Sequence, residues 1–465
     1  MPDDLFADSP STEKADPAGF NVALHLTEMA RRHPYKKAVV MPVSRTASGQ
    51  VAYTHLTLRQ LDKESDCLAH GLQTTGITRG MRAAIMVPPG IDFFILTFAL
   101  FKVGAVPVVV DPGMGARRLV QCLEHSQPGA FIGVPIAQAA RLFFHRQLGK
   151  IRHCVTVGRK WFWGGHRLNE LRLTPWHPYP IQLIHDHEPA AILFTTGSTG
   201  PAKGVVYTHT MFDAQIRTIR EQFAIADDEV DLPTFPLFAL FDPALGMTAV
   251  IPDMDPTRPA RANQARICQA IVDHGVTNMF ASPALLKRLG RWGVERGIRL
   301  PSLRRVVSAG APVPPEAIET FQSLLTSDAR IHTPYGATEA MPITTIDSQE
   351  ILTETRAQSE QGYGLCVGRP VDRLDLRIIA IDDDSIADWS AVTPLAPGDV
   401  GEIVVRGDQV ARHYYDNKEA DQLHKIIDGD QLWHRTGDLG WIDTKGRLWF
   451  CGRKSQRLQT ARGTL

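Results

Sequence analysis

Short runs of branched apolar residues alternate with helical stretches through most of this sequence, and that rhythm leaves few folds open. Ala83–Val87, Val106–Asp111, Ala130–Val134 and Ala190–Thr195 read as strands, with Asp92–Val103 and Gly115–Ser126 as helices between them. Strands apolar on both faces and separated by helices belong to parallel sheets with covering helices. Trp161 to Glu188 interrupts the pattern with Trp, His, Gly and Pro, as a long irregular connection would. From about Asp375 the texture changes to short strands and polar turns. Gly401–Arg406 is one such strand. Trp441–Phe450 reads as a hairpin turning at Asp443–Gly446, with Gly where a positive φ is wanted. The expected fold class is α/β: a large N-terminal body of parallel and mixed sheets covered by helices, plus a smaller β-rich subdomain. The expected divisions are a disordered leader over 1–17, the body over 18–372, the β-rich subdomain over 373–452 and a hinge start over 453–465.

Charge removes several partner classes. Lys+Arg and Asp+Glu are both 50, so the net charge is zero, which argues against bulk electrostatic capture of nucleic acid or an anionic membrane. The most apolar stretch, Phe93–Phe101, is too short for a bilayer, which needs about 20 residues. Cysteines at 67, 122, 154, 268, 366 and 451 form no close pair, as expected of reduced thiols in a cytoplasmic protein.

The segment that carries chemistry follows the strand Ala190–Thr195. It contains Thr195, Thr196, Gly197, Ser198, Thr199 and Gly200, then Lys203. Glycines let consecutive N–H groups turn inward as an anion nest, hydroxyls add donors, and the lysine supplies a mobile positive charge. Ala202 stands where a Walker A loop demands Gly, so this is not that loop; it reads as a phosphate loop of another kind, with a flexible Gly/Ser turn as the alternative. A serine hydrolase elbow is not found: Val306-Val-Ser-Ala-Gly310 lacks its first Gly. His185 and His187 flank Asp186 at a turn without metalloprotease spacing.

The loop resembles the phosphate loop of the acyl-adenylate-forming synthetases: acyl-CoA synthetases, luciferases and peptide-synthetase adenylation domains. Further matches follow in that family's order. Ser308-Ala-Gly310-Ala311-Pro312 is similar to its adenine-side loop, and Tyr335-Gly336-Ala-Thr338-Glu339 to its YGxTE segment. Thr436-Gly-Asp438 resembles its TGD, and Gly452-Arg453 the GR before its hinge. The resemblance implies ATP and Mg²⁺ as cofactors. It implies adenine stacking on Tyr335 and backbone approach to the base at Gly310 and Gly336. It also implies an α-phosphate contact from Thr338, Mg²⁺ ligation by Glu339, ribose binding by Asp438, and ribose or phosphate contact from Arg453. Lys203, Thr338, Glu339 and Arg453 are the expected catalytic set.

Phe235-Pro-Leu-Phe238-Ala239-Leu-Phe241-Asp-Pro243 departs from the LPLFH-like segment of acyl-CoA synthetases, with Ala239 in the His place. Together with Val108–Gly115 and Pro252–Pro259, this is similar to the β-lactone synthetases of bacterial long-chain olefin biosynthesis. That likeness implies a 2-alkyl-3-hydroxyalkanoic acid substrate, its own hydroxyl closing the lactone, and other olefin-pathway enzymes as partners; the alternative is a long-chain fatty acyl-CoA synthetase or fatty acyl-AMP ligase of the same fold. Phe235, Phe238 and Phe241 either line tunnels for two alkyl chains or pack in the core. Trp161-Phe-Trp163 is either an exposed loop that docks a partner enzyme or a lipid, or a locally packed one. Family members continue past the hinge into a mobile lid carrying a lysine. The sequence stops at Leu465, so this chain is expected to bind ATP and adenylate poorly.

Overall fold

The computed structural model describes residues 19–47, 49–173, 176–195, 202–235, 238–255, 258–460 and 463–464. Three large sheets organise them. The first runs in spatial order His166–Arg167, His153–Thr156, Ala130–Gly133, Arg82–Met86, Val106–Val110, Pro189–Thr195 and Lys203–Thr208. Every neighbouring pair is parallel except the last, an antiparallel edge. The second sheet runs Arg330–His332, Arg305–Val307, Asn278–Phe280, Val230–Pro233, Thr248–Val250, Lys37–Arg45 and Val51–Thr57. It too is parallel with one antiparallel edge.

Helix Ile91–Val103 lies between these sheets. It is apolar on every side, and it shares one core with Ile85, Ala130 and Ile132 of the first sheet and Ala38, Val39 and Ala249 of the second. Burying each of its large side chains contributes about 1.5–3 kcal/mol, far more than helix propensity alone. Gly104, in the left-handed region at φ 74°, ends it. Its one basic residue, Lys102, is fully buried. Lys102 Nζ donates to Asp62 Oδ1 at 2.7 Å and Asp66 Oδ1 at 2.6 Å on helix Leu58–Thr74. That partner helix starts at a reciprocal cap between Thr57 and Gln60.

The third sheet is antiparallel throughout: Tyr335–Ala337, Ala340–Thr345, Leu365–Pro370, Leu448–Arg453, Gln431–Ile442, Gly401–Gly407 and Leu374–Ile379, with Lys425–Asp428 paired to Gln431–Ile442. Its pairing begins at Tyr335, well ahead of the sequence boundary at 372. Composition changes only where the turns become polar, whereas the chain enters this sheet directly from the edge strand Arg330–His332. The expected hairpin turn is present: Asp443 N donates to the Arg447 carbonyl, and Gly446 sits at φ 74°. All six cysteines are free, and among the described residues no helix is long and apolar enough to cross a membrane.

Candidate active site

The phosphate loop predicted from sequence is the connection between two paired strands. Thr195 lies opposite Lys203 in the antiparallel edge of the first sheet, so the ladder brings both ends of the loop together. Thr196, Gly197, Ser198, Thr199 and Gly200 lie outside the described residues, as do the side chains of Thr195 and Phe238. Lys203 is described and half-buried. Its Nζ lies 2.8 Å from His424 Nε2 and 5.2 Å from the centre of the Tyr414 ring. For Nε2 to accept from an ammonium, the imidazole proton sits on Nδ1, which is 3.2 Å from the Arg435 carbonyl. Burial, then the charge of Lys203, pushes His424 down to about 4, so it is neutral at pH 7. Burial also lowers Lys203, against the opposing pull of Glu339.

Glu339 follows the strand Tyr335–Ala337. Its Oε1 accepts from Tyr414 Oη at 2.7 Å, and its backbone carbonyl accepts from Ala411 N at 2.7 Å. Tyr207, on the Lys203–Thr208 strand, donates to the Thr338 carbonyl at 2.6 Å. These bonds tie the first sheet to the third and set Lys203, Thr338 and Glu339 side by side. Beneath them Lys425 is buried, with Nζ donating to the Ala411 carbonyl and 3.2 Å from His434 Nδ1. Burial lowers Lys425 to about 8. Tyr207, Tyr414, His424, Lys425 and His434 have no signal in the sequence. His424 meets Lys203 across 221 positions, which no local pattern reports.

A second cluster forms where TGD and GR meet. Asp438 and Arg453 are direct cross-strand partners of Gln431–Ile442 and Leu448–Arg453. Tyr335 Oη donates to Asp438 Oδ2 at 2.6 Å. Arg453 Nη1 lies 2.8 Å from Oδ1, yet this buried oxygen receives no aligned hydrogen bond. Its charge is countered while its acceptor capacity is kept, which suits a ribose hydroxyl. Burial raises the Asp438 carboxyl, opposed by Tyr335 and Arg453.

Ser308 and the residues after it join this cluster through the second sheet. Strands Arg305–Val307 and Arg330–His332 are parallel neighbours, so the segments leaving both run side by side. Ser308 Oγ is buried without a partner. Gly310 has φ 91° with open space where a Cβ would be, and Ala311 and Pro312 are exposed. A β-carbon on Gly336 would lie 2.7 Å from the Ala340 carbonyl, so the hairpin itself requires that glycine. The Asp438 carboxylate, the unpartnered Ser308 hydroxyl, the Tyr335 ring and the Lys203 ammonium fit a nucleotide. Among the described residues no group of three or more His, Cys, Asp or Glu could hold a metal alone.

The apolar candidates are dispersed. Phe235 is exposed, 6.4 Å from the Phe280 ring. Phe241 packs 6.0 Å from the Phe212 ring against the first core, and Ala239 is fully buried there. His185 and His187 stack on each other at 5.8 Å.

The sequence matches the AMP-binding enzyme family over residues 26–415. The chain belongs to that family. As an AMP-binding enzyme it is an AMP-forming ligase, of a family that uses ATP. It is 50% identical over 453 residues to an olefin β-lactone synthetase of Stenotrophomonas maltophilia, covering 96% of this chain and 81% of the relative. A second olefin β-lactone synthetase, from Xanthomonas campestris, is 47% identical, covering 96% and 80%. Among solved structures, a putative long-chain-fatty-acid CoA ligase of Rhodopseudomonas palustris aligns with TM-score 0.75 at 22% identity, covering 94% of this chain and 99% of that one. An O-succinylbenzoate CoA synthetase of Bacillus subtilis in complex with AMP gives 0.73 at 21%, covering 95% and 80%. At those identities the structures speak for the fold, and they bear out the α/β reading.

Proposed function

We propose that this AMP-forming ligase activates a 2-alkyl-3-hydroxyalkanoic acid and closes it to a β-lactone. Identity of 50% and 47% to two olefin β-lactone synthetases, each over 96% of this chain, carries the reading. In the first step the carboxylate attacks the α-phosphorus of ATP and pyrophosphate leaves. Lys203 and the 195–200 loop receive the phosphates, Thr338 faces the α-phosphate, and Asp438 and Arg453 hold the ribose. Tyr335 and Gly310–Pro312 flank the adenine. A Mg²⁺ on Glu339 would neutralise charge between the phosphates. The chain's contribution is placement and fixed positive charge, which together account for most of the acceleration in such transfers.

In the second step the substrate's β-hydroxyl oxygen attacks the acyl carbon, the bond to AMP breaks and the hydroxyl proton is released. Both reacting groups sit on one molecule, and oriented intramolecular reactions reach effective molarities of roughly 10⁵–10⁸ M. The segment after Val230–Pro233 supports this, because buried Ala239 offers no imidazole where acyl-CoA synthetases carry His. Phe235, Phe238 and Phe241 are proposed to face the alkyl chains.

The test is product analysis with ATP, Mg²⁺ and a long-chain 2-alkyl-3-hydroxy acid. Lactone, AMP and pyrophosphate without coenzyme A are expected. Strict dependence on coenzyme A with a thioester product would overturn the reading.

A further inference from the structure

A zero net charge conceals a strongly uneven surface. Between Glu124 and Glu170 the chain has no Asp or Glu at all. Over the same stretch Arg141, Arg146, Lys150, Arg152, Arg159 and Lys160 form no ion pair among the described residues, and only Arg167 is paired, with Glu170. Arg141 sits on a helix with an outward apolar face, and Arg159 and Lys160 sit in the loop beside its start. Helix Pro135–Phe143 is turned inside out: its one buried residue is the polar Gln138, whose Nε2 donates to the Val155 carbonyl at 2.9 Å. Ile136, Ala139, Ala140 and Phe143, spaced as one helical stripe, are all exposed, Ile136 at 79% and Phe143 at 80%.

A loop beside the start of this helix adds two more apolar side chains. Strands Ala130–Gly133 and His153–Thr156 are parallel neighbours, so the helix and the 158–165 loop leave the same end of the sheet. Trp163 anchors the loop, buried with Nε1 donating to Thr156 Oγ1 at 3.0 Å. Gly165, at φ 73°, passes so close to the Cys154 carbonyl that a β-carbon would lie 2.2 Å from it. Lys160 Nζ donates to the Gly165 carbonyl at 2.8 Å. On this pinned base, Trp161 is 58% and Phe162 82% exposed.

We propose that this face docks on an anionic lipid bilayer. An outward apolar helix stripe, projecting Trp and Phe, and neighbouring unpaired Arg and Lys are what an interfacial segment needs to enter a headgroup layer. The loop also leaves the same sheet end as the last residue of strand Pro189–Thr195, four strands and roughly 19 Å away at about 4.8 Å per strand. An acid carried in the bilayer would therefore be presented at the rim of the candidate active site. The proposal does not depend on the lactone product.

Co-sedimentation of the full chain with phosphatidylcholine vesicles, with and without phosphatidylglycerol, tests it. Binding is expected only with the anionic lipid, weakening as salt rises, with a blue shift in tryptophan fluorescence that Trp161→Phe removes. Arg159→Glu with Lys160→Glu should lower partitioning at least roughly 25-fold. Trp161→Ala with Phe162→Ala should lower it strongly without changing the salt dependence. Unfolding midpoints equal to the parent's show that these variants fold. Equal binding to neutral vesicles, or no loss in the folded variants, overturns the proposal. So does absence of vesicle binding at every salt, which would leave the face to an acidic protein partner.

Discussion

Two interior lysines face opposite company. Lys102, between the two parallel sheets, is held by the carboxylates of Asp62 and Asp66. Lys425, under the candidate active site, has a backbone carbonyl, the neutral His434 and the Tyr414 ring 5.5 Å away. Burial pushes Lys425 down to about 8, against the opposing pull of the more distant Glu339 and Asp421. Lys203 is in the second situation, with His424 and the same tyrosine ring around it. The difference separates a cation that is part of the scaffold from cations held without a carboxylate in hydrogen-bond reach at the candidate active site.

The sharpest way to break this comparison is to remove each charge in turn. Lys102→Met leaves the buried Asp66 and the partly buried Asp62 without their shared cation, and urea denaturation should show a loss of about 3–5 kcal/mol. A loss below about 1 kcal/mol would mean the pair is dispensable. Lys203→Ala should lower ATP–pyrophosphate exchange by about 10²–10³ while leaving the unfolding midpoint in place. Equal rates would remove this lysine from the phosphate site.

Lys425→Met sharpens the contrast through pH. The native lysine titrates near 8 and the unfolded one near 10.5. Between those values the unfolded chain binds the extra proton, so wild-type stability rises with pH across that window and is flat below it. The variant should lose that rise, as read by denaturation at stepped pH. The smallest effect is expected from Tyr414→Phe, which frees Glu339 of one hydrogen bond. It should raise the Mg²⁺ needed for half-maximal rate by roughly threefold.

Much of this was legible in the sequence because its signals are local. The six strands and helices named from sequence between Arg82 and Thr195 fall within a residue or two of their expected limits, since apolar runs bounded by Gly, Pro and Asp report themselves, whereas helix Pro135–Phe143 and strand His153–Thr156 went unnamed. Asp438 and Arg453 could be named singly, but their meeting depends on the register of two strands joined by the Asp443–Gly446 turn. Nothing local announced His424 or Tyr414, which reach Lys203 and Glu339 only through packing of the third sheet on the first. The start of that third sheet at Tyr335 escaped for a related reason: pairing partners, not composition, define a sheet.

The ladder that sets Thr195 opposite Lys203 fixes which face of the sheet Lys203 and Tyr207 take. One inserted residue, if absorbed by the strand from Lys203 to Thr208, would turn Lys203 to the far side of the sheet and carry Tyr207 away from Thr338.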